Sequence, residues 1–181
     1  MASTSARALG WLRLLLLAGL PLTAADRGEY EVKAAFLVNF THFVEWPAGS
    51  PTGPFNLCVI GPDPFGDLLE KVAWNRTVGN QPIAIKRLPG AAGGSSCAIA
   101  FVGAFDQHTL LKLSRSPELS HALTVGDSRD FAERYGVIGF VIENNRVGLV
   151  LNAARASQHS LKITSQLMRV AKPTAGADGQ P

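Results

Sequence analysis

The sequence predicts an α/β fold: a mostly parallel sheet with helices on both faces, a C-terminal antiparallel hairpin, and a long helix after it. Three observations carry this. An apolar run, a glycine, a capping residue and a helical pattern follow one another at Phe55–Phe65 and again at Ala122–Tyr135, the order of a strand crossing over to a parallel neighbour. Asn144-Asn145 separates two apolar runs, 137–142 and 146–151, by the two residues of a tight hairpin turn. The 153–171 segment places Leu161, Thr164, Leu167, Met168 and Ala171 at helical spacing.

The elements follow in order. Arg7 and Arg13 precede any acidic residue, and a leucine-rich run from Trp11 to Leu22 ends in Thr23-Ala24-Ala25. This is the pattern of a secretory signal peptide, predicted to be cleaved after Ala25, because roughly a dozen apolar residues fall short of the ~18 that span a bilayer. An uncleaved anchor is the alternative. Residues 26–172 then form a single domain, and 173–181 a disordered Gly/Ala/Pro tail.

Within that domain, Val32, Phe36, Val38, Phe40, Phe43 and Val44 predict a first helix over 29–46, stopped by Pro47. A turn-rich connector, 48–54, leads to a buried strand at 55–60. Asp63 and Pro64 sit where a cap and a first helical residue belong, with Leu68, Leu69 and Val72 inward. Residues 82–88 read as an outer strand, 97–102 as an apolar strand, 106–113 as a helix, and 122–125 as a strand before a short helix through Phe131 and Tyr135.

Composition limits function. The chain has 17 Lys and Arg against 14 Asp and Glu, a net charge of +3. Losing the two leader arginines brings it to about +1, with no basic stripe, so no nucleic-acid partner is expected. Cys58 and Cys97 are the only cysteines. Each lies in a strand-like run of a chain bound for an oxidising compartment, so a disulfide is expected, with two buried free thiols as the alternative.

No cofactor or metal is expected. His42, His108, His121 and His159 have no second ligand at metal-binding spacing. Ser95 and Ser96 precede a strand and lack the strand-turn-helix setting of a nucleophile. The Gly61–Gly66 loop carries Asp67 where a phosphate loop needs lysine. It does mark the carboxyl edge of a strand, which Gly126-Asp127-Ser128 should share, and open α/β sheets leave a ligand crevice at such an edge. Asn75-Arg76-Thr77 fits a three-residue glycosylation pattern that is frequent by chance. Phe43–Pro47 (FVEWP) puts Glu45 and Trp46 at a helix end, where Trp46 packs on the sheet or serves an interface.

Several motifs occur together in order: KAAFLVNF (33–40), FVEWP (43–47), LCVIGPDPFG (57–66), GNQPI (79–83), Cys97, LTVGD (123–127), the hairpin into Asn152, and SLKITSQLMRVA (160–171). In these the chain resembles the YfiR family of bacterial periplasmic proteins from about Val32 to Ala171. The resemblance implies a non-enzymatic periplasmic regulator that binds and represses a membrane-bound signalling protein. The partner would be the periplasmic region of an inner-membrane diguanylate cyclase or sensor kinase, and cyclic di-GMP the output. It places Cys58–Cys97 at the family's main structural disulfide, and a homodimer is implied by analogy. A second cysteine pair found in some members is absent. The family's Phe-Glu-Ile/Val-Asn run is replaced by Leu149-Val150-Leu151-Asn152, keeping only the asparagine. The candidate partner or ligand residues are thus Glu45, Trp46, Gly61, Asp63, Asp127, Ser128, Asn152 and Lys162. A small-ligand-binding sensor module is the competing reading.

Overall fold

The computed structural model describes residues 24–47 and 53–174. The expected leader (1–25) lies outside the described residues up to residue 23, as does most of the 48–54 connector and residues 175–181 of the expected tail.

Among the described residues, eight strands form one sheet. They are β2 (Phe55–Ile60), β3 (Thr77–Val78), β4 (Gln81–Leu88), β5 (Cys97–Val102), β6 (Leu123–Gly126), β7 (Ile138–Glu143), β8 (Arg146–Leu151) and β10 (Lys172–Pro173), in the order β10-β8-β7-β6-β5-β2-β4-β3. From β4 to β7 every neighbouring pair is parallel; the β7–β8 hairpin and the short β3–β4 pair are antiparallel. Asn144 and Asn145 make the hairpin turn at φ 49° and 60°, the left-handed pair that a two-residue turn requires. Two further strands, β1 (Val44–Glu45) and β9 (Lys162–Ile163), pair antiparallel as a separate ribbon.

Side-chain alternation sends each strand's residues to two cores. Leu57, Val59, Ile99, Phe101, Leu123 and Val125 face one layer with α1 (Ala24–Asn39) and α2 (Leu68–Ala73). Cys58, Ile60, Ala100 and Val102 face the other with α3 (Gln107–Ser114) and α4 (Arg129–Arg134). A parallel sheet covered on both faces explains why its central strands are continuous apolar runs. Among the described residues, no helix is long and apolar enough to cross a membrane.

Several boundaries differ from expectation, beginning with the first helix, which starts at Ala24 rather than at residue 29. The first helix ends at Asn39 rather than continuing to Trp46. A 3-10 turn (Phe40–His42) follows, because Val44 and Glu45 extend to pair with Ile163 and Lys162. Its inward stripe is also rotated: Lys33, Ala34, Leu37, Val38 and Phe40 are buried, whereas Val32 is 44% exposed. The second helix starts at Leu68, not at Pro64, since Gly66 adopts φ +56° and breaks the helical path; Asp63 instead closes a local turn, accepting from the Phe65 N–H at 2.7 Å.

The expected long C-terminal helix is two short ones, α5 (Ala153–Gln158) and α6 (Ser165–Val170), with β9 between them. Ser160 at φ +59° ends the first, Ile163 pairs with Val44, and the Thr164 hydroxyl caps the second by accepting from the Leu167 N–H. Finally, Pro173, expected to begin the tail, belongs to edge strand β10, where a residue without an N–H is tolerated; the Thr174 N–H reaches the Leu151 carbonyl.

Candidate functional site

The carboxyl edge of the parallel strands holds Gly61 after β2 and Asp127 after β6. Gly61 sits at φ +81°, and a Cβ there would lie 2.1 Å from the Phe105 ring, so the turn admits only glycine. The turn is then clamped from β4. Arg87 Nε donates to Asp63 Oδ2 at 2.7 Å, and its guanidinium also reaches the Glu70 carboxylate and the Gly66 carbonyl. These bonds hold Glu70 below the usual carboxylate range and raise Arg87 further above its own. Asp63 is thereby committed to holding its loop.

Asp127 belongs to a different network, centred on a residue that the sequence pattern did not single out. Lys33, on the inward stripe of α1, is 2% exposed, and its ammonium donates to both Glu29 and Asp127. Tyr30, one helical turn before, donates from its hydroxyl to Asp127 Oδ2 at 2.6 Å. The Lys33 Nζ lies 4.6 Å from the Tyr30 ring centroid, a cation–π distance. Tyr30 meets Phe65 edge-on at 5.5 Å, and Phe65 meets Phe101 at 4.8 Å. The 61–66 turn and Asp127 are thus joined through α1. A lysine is buried only when its charge is compensated, and here two carboxylates and an aromatic face do so. The available signal was its position: Lys33 lies four residues before Leu37 on the buried face.

The other expected residues have separate places. The Ser128 hydroxyl caps α4, accepting from the Phe131 N–H at 3.1 Å. Asn152 caps α5 through its Oδ1 and donates from Nδ2 to the Ala132 carbonyl at 2.8 Å, fastening α5 to α4. Trp46 donates from Nε1 to the Ala98 carbonyl at 2.8 Å and packs edge-on against Phe55 at 5.0 Å. These partners start β5 and β2, so Trp46 lies at the sheet edge opposite Asp127. Glu45 and Lys162 stand directly across the β1–β9 ribbon. Cys58 and Cys97 are disulfide-bonded, buried, with Cα atoms 5.8 Å apart, and they tie β2 to its neighbour β5.

Two kinds of surface depression flank α1. A groove of about 420 Å³ beside Asp127 is lined by charged groups, including Lys33, Arg129 and Glu143, over Phe140. The second surface is largely apolar, with Glu29, Asn145 and Arg146 also lining part of it. Phe36 lines both a groove of about 530 Å³ shared with Val32, Ile142 and Val147 and one of about 290 Å³ shared with Phe43, Leu167 and Val170. Val170 is 66% exposed and Ile142 49%. Among the described residues, no group of three or more histidine, cysteine, aspartate or glutamate side chains is placed to hold a metal ion.

Residues 30–172 match the family described as DUF4154, YfiR/HmsC-like. No curated protein matches the chain. The matched span takes in the Tyr30–Lys33–Asp127 network, the disulfide and the sheet as far as the first residue of β10. The family is a regulatory, non-catalytic one whose members act in the periplasm on diguanylate cyclase signalling. The chain therefore belongs to the YfiR/HmsC-like family.

Proposed function

We propose that this protein is an exported, non-enzymatic regulator that binds the periplasmic region of a membrane-bound diguanylate cyclase and represses it, lowering cyclic di-GMP. Residues 1–25 act as the cleaved signal, and residues 26–172 are the working domain. The observation that carries the reading is membership of the YfiR/HmsC-like family over residues 30–172. The apolar surface along α1 supports it. Val32, Ile142, Met168 and Val170 are left partly or largely in solvent, with Phe36 between the two grooves, and exposed apolar patches of this kind mark interaction sites. The cyclase's periplasmic region is the occupant assigned to it.

The test is crosslinking in intact cells with an affinity-tagged chain. Recovery of a membrane protein carrying a periplasmic sensor region and a cyclase domain is expected. Recovery of no membrane signalling protein would contradict the reading; recovery of a sensor kinase alone would replace the cyclase as partner.

A further inference from the structure

Strand β4 is covered by β3 only at its beginning. Thr77 and Val78 stand beside Pro82 and Gln81, and the Ile83 N–H reaches the Arg76 carbonyl. On its other side β4 pairs with β2 from Ile83 to Leu88. The Leu88 carbonyl accepts from the Gly61 N–H, so residues 84, 86 and 88 turn their backbone groups inward to β2, and 83, 85 and 87 turn theirs outward. Ile85 and Arg87 therefore each present an N–H and a carbonyl at the edge, and among the described residues nothing pairs with them.

The side chains give this edge a sign. Lys86 and Arg76 are exposed, and among the described residues neither is ion-paired; Lys86 reaches only the Ser96 hydroxyl, at 3.2 Å. Arg87, on the opposite face of the strand, is already taken by Asp63 and Glu70. Trp74, which closes α2 two residues before Arg76, is 78% exposed, and tryptophan is among the residue types that most often anchor an interface. A second copy of the chain fits poorly here. With residues 76–78 beside 81–83, antiparallel pairing about a two-fold axis that engages both Ile85 and Arg87 must centre on Lys86 or on Arg87. Either choice sets like charges directly opposite, and the second also sets Ile85 against Pro89, which has no N–H to give.

We infer that this edge takes up an extended segment of a partner protein as an added strand, with an acidic residue opposite Lys86 and an apolar residue opposite Ile85. The residues flanking the acid exchange backbone hydrogen bonds with Ile85 and Arg87. The acid itself occupies a position without such bonds, where facing side chains come closest and an opposite charge gains most. The contact lies at the other end of the sheet from the β7–β8 hairpin, so it is independent of the surface assigned to the cyclase.

An NMR titration of the full chain tests this with the peptide acetyl-Ser-Thr-Val-Glu-Val-Thr-Ser-amide, its glutamate-to-lysine counterpart, and a form N-methylated at both valines, each taken to about 5 mM. The glutamate peptide should shift the Ile85 and Arg87 amide signals saturably and slow their hydrogen exchange. The lysine peptide should bind at least about fivefold more weakly, and the N-methylated form, which has lost the donors facing β4, should not bind. In a Lys86→Glu chain the preference between the two charges should reverse, while the melting temperature stays that of the parent because the side chain is exposed. No saturable shift at Ile85 and Arg87, equal affinity for the two charges, binding of the N-methylated peptide, or an unreversed preference in folded Lys86→Glu would each overturn the assignment. So would the same shifts on concentrating the chain alone, which would make a second copy the occupant.

Discussion

Lys33 is the residue on which the docking of α1 most depends. Its ammonium is enclosed between Glu29, Asp127 and two aromatic rings, so truncation leaves two carboxylates without their shared cation in a partly buried site. Lys33→Ala is expected to cost about 3 kcal/mol, at the lower end of the range for broken buried pairs because both carboxylates keep some solvent. Urea denaturation measures this; a loss below about 0.5 kcal/mol would show the network to be incidental.

His159 gives a second residue-scale expectation. Burial pushes its imidazole below the ordinary value; the Nδ1 contact with the Ala122 carbonyl opposes this, while the Arg155 and His121 charges add to it. A folded-state value below the unfolded one means that the unfolded chain binds the proton first. This contribution to stability is therefore fully present above about pH 6.5 and is lost as pH falls from there through the folded value. Melting temperatures measured from pH 7.5 to 5 should decline more in the parent than in a folded His159→Gln chain. Parallel declines would exclude the histidine as the cause.

At the scale of elements, the disulfide joins two adjacent central strands across a separation of 39 residues. Removing it by Cys58→Ala or by reductant should lower stability by about 2 to 4 kcal/mol, chiefly by releasing the unfolded chain, while the sheet persists. Circular dichroism during chemical denaturation, with and without reductant, reads both quantities. The central elements were legible in the sequence because each is specified locally: five apolar residues of six for β2, Asn144-Asn145 for the hairpin, and Asp106 capping α3 through the Thr109 N–H. The peripheral ones were not. Val44 fits a helical stripe and Ile163 falls inside a segment with helical spacing, and both become strands only because they find one another across 119 positions of sequence. The site divided in the same way. Asp127 was identified from its place after a strand, whereas Lys33 was not singled out, because its burial depends on the phase of α1, which packing fixes.

At the scale of the molecule, the disulfide-tied sheet carries α1, the β7–β8 hairpin and α6, which share one largely apolar surface through Phe36. Ile142→Glu and Val170→Glu place charge on that face at positions already in solvent, so each should change stability by less than about 0.5 kcal/mol while weakening partner capture at least about tenfold. Crosslinking yields alongside melting curves separate the two effects. The most direct measurement is cyclic di-GMP in cells lacking this protein, complemented with the parent chain or with Val170→Glu. Deletion should raise cyclic di-GMP, the parent chain should restore it, and Val170→Glu, exported and folded, should not. Unchanged cyclic di-GMP on deletion, or full restoration by Val170→Glu, would contradict repression through this surface.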